Sequence, residues 1–327
     1  MTQAPIRVAL LGCGTVGSSV ARLMTERAGL YEARLGRPLV LTGIAVRNLS
    51  TPRDLSAANA ELLTDDAASV VADADVVIEV MGGLEPAASL MNEAFANGAH
   101  VVSANKQLIA HRGAELHEAA ANAGVELKYE AAVMAAVPVL RAIGESLQGD
   151  DVKTISGIVN GSTNYVLDLV SRLGVPFDDA VKQAGELGFL EADPTEDLQG
   201  IDAAAKIVIL ARTAWGIDAS MDDVQLQGIA DLSDTDFDQA QAVGQVIKLV
   251  ATANATGSAR NPRVELSVRP VPLPIDHPLA GIREGNNALM VETVSAGPLL
   301  MTGAGAGGDA TASAILGDLM DVARQVN

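Results

Sequence analysis

Short, uninterrupted apolar runs separated by alanine-rich stretches constrain this chain more than any single motif. In order they are Ile6–Leu11, Val16–Ala28, Leu39–Val46, Ala67–Val71, Val76–Val80, Ala87–Ala96, His100–Ser103, Glu115–Ala123 and Val125–Tyr129. A strand with one wet face alternates apolar and polar residues, whereas a strand covered on both faces reads as a continuous apolar run. β-rich runs of the second kind, alternating with helical stretches, predict a doubly wound parallel sheet. Beyond Pro138 the rhythm changes. A helix is expected at Val139–Leu147, a strand at Val152–Val159, then helices from Ser162, over Asp178–Glu186 and over Gly200–Ala214. Strand-like segments at Val246–Ala251, Val264–Val268, Ala288–Thr293 and Leu299–Met301, with a proline-rich connection at Pro270–Pro278, suggest one mixed or antiparallel sheet. The last helix, Ala310–Val326, would return to the first unit. The expected organisation is therefore α/β, with residues 1–137 plus 303–327 forming one domain and residues 138–302 a second, α+β domain.

Directly after the first apolar run stands Gly12-Cys-Gly14-Thr-Val-Gly17, and it opens a helix. Glycines at that spacing permit a tight turn, close backbone approach to a pyrophosphate and close helix–strand packing. The helix N-terminus adds unpaired N–H groups and positive potential. A strand–motif–helix context of this kind predicts a Rossmann-type dinucleotide site, with Gly12, Gly14, Thr15, Val16 and Gly17 at the cofactor. The second strand ends Ala45-Val46-Arg47-Asn48, without the acid that usually accepts from an adenine-ribose 2′-hydroxyl. Arg47 could pair with a 2′-phosphate instead, which favours NADP and leaves NAD open. Two further segments, Glu79-Val-Met-Gly82-Gly83 and Ser103-Ala-Asn105-Lys106, fall at the ends of strands that face the ligand crevice of such sheets. Gly82, Ser103 and Lys106 are candidate cofactor contacts.

Charge and cysteine content exclude several classes. The 327 residues carry 41 Asp and Glu against 22 Lys and Arg, a net charge of −19, so a basic surface for phosphate backbones or anionic lipids is not expected. The single cysteine, Cys13, cannot form an internal disulfide, and the N-terminus lacks the basic-then-apolar order of a secretion leader. A cytoplasmic location is expected. His100, His111, His117 and His277 show no metal-ligand spacing.

The least expected chemistry lies in the second domain, in Gly188-Phe-Leu-Glu191-Ala-Asp193-Pro-Thr-Glu196-Asp197-Leu-Gln-Gly200-Ile-Asp202-Ala-Ala-Ala-Lys206. Asp202 and Lys206 are four residues apart on one helical face among Ala, Ile, Val and Leu. Such a pair is a surface ion pair, or else it is used. A lysine held by a carboxylate can protonate an oxygen on which negative charge builds during hydride transfer. The neighbouring acids suit a substrate bearing an amino group. Together with a nicotinamide cofactor, this points to reduction of an amino-acid aldehyde.

These segments, with Tyr129–Pro138, Gly157-Ile-Val-Asn160-Gly-Ser-Thr-Asn164-Tyr165 and Gly303–Asp318, resemble homoserine dehydrogenases over nearly the whole chain. The resemblance implies NAD(P)-dependent interconversion of L-aspartate 4-semialdehyde and L-homoserine, on the route to threonine and methionine. It makes Lys206 the acid/base lysine with Asp202 its partner, and Lys106 the rival proton donor. It assigns Glu191, Asp197, Glu196 and Asp202 to substrate, places Asn160 and Thr163 near cofactor and substrate, and gives Gly303 a backbone contact to the cofactor. It further implies a sodium ion held by carbonyl oxygens of Glu130, Val133, Ala135 and Val137, a kind of ligand that hard cations prefer. Where relatives often have glycines, this chain has Met134 and Ala136, which bears on the freedom of that turn. A homodimer or homotetramer is implied as well. The chain stops short of the ACT-type regulatory domain of many relatives, so threonine feedback through such a domain is not expected. The alternatives are another reductase of a small amino-acid-like carbonyl, or a nicotinamide-binding sensor without catalysis. An acyl-phosphate reductase would need a nucleophilic cysteine in the second domain, where this chain has none.

Overall fold

The continuous apolar runs form strands because both of their faces are covered. In β1 (Ile6–Leu11) every residue but Arg7 is buried. The other strands of this sheet are β2 (Leu39–Ala45), β3 (Leu63–Thr64), β4 (Val76–Glu79), β5 (His100–Ser103) and β6 (Leu127–Lys128). All pairings are parallel, in the order β3-β2-β1-β4-β5-β6. The order reverses at β1, so the chain leaves β1 and β4 on either side of a topological switch point, where such sheets bind ligands. The intervening helices are α1 (Thr15–Glu26), α2 (Ala28–Leu35), α3 (Ala57–Ala60), α4 (Ala67–Ala72), α5 (Ala87–Ala96), α6 (Lys106–Ala123) and α7 (Ala131–Met134). Helix α6 begins nine residues before the expected Glu115, because Asn105 caps it by accepting the Leu108 N–H at 3.1 Å. The computed structural model describes residues 4–190, 193–258 and 261–326.

The chain divides into two compact units, Met1–Ala136 with Gly307–Asn327, and Val137–Ala306. The second unit contains α8 (Val139–Arg141) running into a π-helical turn over Ala142–Ser146, then β7 (Val152–Ile158), α9 (Gly161–Leu173) and α10 (Phe177–Glu186). It continues with α11 (Thr195–Leu198), α12 (Ile201–Trp215), β8 (Val224–Leu226), α13 (Asp234–Ala242), β9 (Gln245–Ser258), β10 (Asn261–Pro274), β11 (Asn286–Thr293) and β12 (Pro298–Ala304). The sheet order is β12-β11-β7-β9-β10-β8, antiparallel except for the β8–β10 pair.

Three corrections to the expectations have physical causes. Pro270, Pro272 and Pro274 are not in a connection but in β10, paired in register with Leu249, Ile247 and Gln245. Prolines at every second position lose N–H groups on one side only, and beyond Val268 that side of β10 has no β8 partner to miss them. Strand β8 and helix α13 were not anticipated, being short or poor in apolar residues; Ser233 and Asp236 close a capping box that starts α13. The unit boundary falls at Ala306/Gly307 rather than 302/303, since β12 carries Gly303 and Ala304 into the second sheet. Helix α14 (Gly308–Val322) returns to the first unit, and its Ala312, Ile315, Leu316, Leu319 and Val322 join Val8, Leu10, Val20 and Ile78 in one core.

Candidate active site

The glycine loop in the first unit is shaped by what a side chain would strike. Gly12 has φ +97°, and a Cβ there would lie 2.8 Å from the Val80 carbonyl oxygen, while one on Gly17 would collide with the Gly12 carbonyl. Gly14 is different: a Cβ there would meet nothing within 4 Å. Gly14 is also the N-cap of α1, and no side chain of that cap takes up the first N–H groups of the helix. Two glycines give close packing and the third an open approach, which fits a pyrophosphate. Arg47 lies exposed after β2. The loop that carries it is fastened by Arg53, whose guanidinium donates to the carbonyls of Cys13 at 3.1 Å, Asn48 at 2.8 Å and Thr51 at 2.8 Å.

At the ends of β4 and β5 the organising group is Glu79, fully buried. Its carboxylate accepts from the Met81 N–H at 2.8 Å, the Ser103 hydroxyl at 2.7 Å and the Asn105 amide at 3.4 Å. Burial pushes the Glu79 carboxyl above its ordinary range, and the converging donors oppose that rise. Asn105 donates in addition to the Gly83 carbonyl at 2.7 Å. The Gly82–Gly83 turn, with φ of +73° and +71°, the buried Ser103 and the half-buried Lys106 at the start of α6 thus share one hydrogen-bonded frame.

In the second unit, Lys206 and Asp202 are 92% and 95% buried on α12 (8% and 5% exposed). The Lys206 ammonium lies 2.8 Å from Asp202 Oδ2 and donates to the Val159 carbonyl at 2.7 Å. An ammonium has three N–H bonds, and two are thereby committed. Asn160, the cap of α9, donates from its amide to Asp202 Oδ2 at 2.8 Å and to Asp197 Oδ1 at 2.6 Å, while its own oxygen accepts from the Thr163 N–H at 2.8 Å. Asp202 sits in the first turn of α12, where the helix dipole favours an anion. A desolvated pair of this kind survives because every charge has a partner. Glu196 is exposed on α11, and Glu191 lies outside the described residues. Gly303 is on β12 opposite Asn287, where a Cβ would lie 2.9 Å from a Val137 methyl.

Of the residues expected to hold sodium, Glu130, Val133 and Ala135 flank or form α7 in the first unit, and Val137 opens the second. The positive backbone angle falls on Ala135, φ +46°, and not on Met134 or Ala136. The Glu130 carbonyl accepts from Val133 at 3.4 Å, and the Val137 carbonyl from Val139 at 2.8 Å. Carbonyl oxygens are the kind of ligand that hard cations take.

A family model described as homoserine dehydrogenase matches residues 138–320, and one described as the NAD-binding domain of homoserine dehydrogenase matches residues 12–130. The chain is 44% identical to a homoserine dehydrogenase from Corynebacterium glutamicum, over 98% of its own length and 72% of that protein. The chain belongs to the homoserine dehydrogenase family. A solved homoserine dehydrogenase from Thiobacillus denitrificans superposes with a TM-score of 0.91 at 38% identity, covering 99% of this chain and 74% of that one. A hyperthermophilic archaeal homoserine dehydrogenase mutant in complex with NADPH has a TM-score of 0.82 at 27% identity, covering 99% of both chains.

Four-residue spacing on one apolar helix led to Lys206 and Asp202, but three polar residues escaped sequence reasoning. Arg53 is one. Lys248 in β9 is 99% buried (1% exposed) and donates to Asn164 Oδ1 at 2.9 Å and to the Ile282 carbonyl at 2.6 Å. Burial pushes its ammonium down to about 8, although Asp168 opposes the shift. Asp168 itself pairs with Arg283 at 3.0 Å and Arg172 at 3.4 Å. Asn287 is the third, fully buried on β11 with its amide 3.2 Å from the Val159 carbonyl. No local pattern marks Lys248, Asn287 or the tie from Arg53 to Cys13, since those partners lie far away in sequence.

Proposed function

We propose that this chain reduces L-aspartate 4-semialdehyde to L-homoserine, reversibly, with NADPH as the preferred cofactor. The observation that carries the assignment is Lys206, held by Asp202 and the Val159 carbonyl with one N–H left for a substrate oxygen among the described residues. When bound, a reduced nicotinamide would supply hydride for the aldehyde carbon. As the carbonyl π electrons move to oxygen, Lys206 donates a hydrogen bond and then its proton to that oxygen, leaving an alcohol and a neutral amine that solvent reprotonates. Asp202 keeps the ammonium aimed before transfer. Asn160, bonded to both Asp197 and Asp202, fixes the two carboxylates. Asp197, with Glu191 and Glu196, would receive the substrate's amino group, and Lys106 is the second candidate donor.

The open Gly14 and the uncapped start of α1 would seat the pyrophosphate, and Gly82 and Ser103 would border the nicotinamide. Arg47, at the end of a strand (Ala45-Val46-Arg47-Asn48) that carries no acid, supports NADPH over NADH. The carbonyl-rich turn from Glu130 to Val137 is the proposed sodium seat. The protein would act in the cytoplasm, in threonine and methionine synthesis, as a homodimer or homotetramer. Mixing the protein with L-aspartate 4-semialdehyde and NADPH, then NADH, with and without sodium, tests the assignment by loss of the reduced-nicotinamide absorbance. Rapid oxidation, faster with NADPH and with sodium, is expected. Binding of both cofactors without oxidation would contradict the activity.

A further inference from the structure

Strands β7 and β11 pair antiparallel up to Ile158 opposite Ala288. The next residues in register are Val159 and Asn287, but there the backbone of the first turns away into the cap of α9. The Asn287 side chain takes over the missing rung: its amide donates to the Val159 carbonyl at 3.2 Å. That same carbonyl accepts from Lys206 at 2.7 Å. A peptide at a strand-to-helix turn is free to tilt unless something pins its oxygen, and here the pin and the catalytic ammonium share one acceptor.

The surroundings are built for this side chain. Asn287 is fully buried, yet its Oδ1 has no hydrogen-bond partner among the described residues. An apolar side chain would avoid that cost, so stability alone does not select an asparagine. Gly305 must lack a side chain, because a Cβ there would overlap the Asn287 amide. The chain thus holds a buried, half-satisfied amide against the one carbonyl that Lys206 uses.

We propose that Asn287 is a positioning residue for Lys206, acting through the Val159 carbonyl; this rests on Lys206 being the acid. A double-mutant cycle of Asn287→Leu and Lys206→Ala tests it in the full-length enzyme, with kcat, KM and NADPH binding measured for each protein and Asn287→Ala as a second probe of the same site. Asn287→Leu is expected to fold, to lose about tenfold in kcat as supporting groups around a reacting side chain do, and to keep KM and NADPH affinity within about twofold. On the Lys206→Ala background the same change is expected to cost less than about twofold, because the group it serves is gone. A tenfold loss on both backgrounds, or an unchanged kcat in both Asn287→Leu and Asn287→Ala, would overturn the inference. Near wild-type turnover in Lys206→Ala alone is a separate result, and would overturn the acid assignment.

Discussion

Arg47 is the residue on which cofactor choice turns. It is exposed after β2, in a loop that Arg53 ties to the Cys13 carbonyl of the glycine loop at 3.1 Å. A charge-assisted contact to a 2′-phosphate is worth enough to shift affinity about tenfold. Arg47→Ala is therefore expected to weaken NADPH binding by about that factor and to leave NADH binding unchanged, as fluorescence titration of the two cofactors would show. At this scale the sequence displays residues whose chemistry is local. The glycine loop is contiguous, and Asp202 and Lys206 are one helical turn apart, so both are legible in a line of letters. Lys248 is not: in Gln245-Val-Ile-Lys248-Leu-Val it looks like a wet position, and its acceptors stand 84 residues before it and 34 after. Asn287 and the tie from Arg53 to Cys13, 128 and 40 residues from their acceptors, stay hidden for the same reason.

Helix α9 joins two polar clusters of the second unit. Its cap, Asn160, bonds the carboxylates beside Lys206, and two turns of its body supply Asn164 and Asp168 to Lys248 and Arg283. Asn164 further donates to the carbonyls of Glu284 at 2.8 Å and Asn286 at 3.2 Å, so the loop between β10 and β11 hangs on this helix. Lys248 carries its proton at a cost. Its value falls from 10.5 to about 8 in the folded chain, so between those values the unfolded chain binds more protons and folding gains stability as pH rises. The wild type should gain about 2 kcal/mol relative to Lys248→Met between pH 7.5 and pH 9.5, measured by urea denaturation at each pH. A pH-independent difference would show that Lys248 titrates normally. Element boundaries were legible where apolar runs are continuous. They failed where capping or edge pairing decides, as at Asn105 for α6 and in the proline-spaced half of β10.

At the scale of the whole molecule, the chain builds its first unit from both ends. Leu319, near the C-terminus, is fully buried in the core that also holds β1 and α1. Leu319→Ala is expected to cost about 2–5 kcal/mol and, because α14 packs on the helix that follows the glycine loop, to lower the denaturation midpoint of the unit that NADPH protects. Calorimetry with and without the cofactor measures both. The return of α14 was legible in the apolar pattern after Gly308, while the exact seam was not, since Gly303 and Ala304 complete a strand. The measurement that bears most directly on the chemistry is the turnover of Lys206→Ala with NADPH and L-aspartate 4-semialdehyde, beside its NADPH affinity. A fall in kcat of about 10² or more, as expected for loss of a positioned acid, with unchanged NADPH binding is the predicted result. Near-normal turnover would contradict it and move the proton to Lys106.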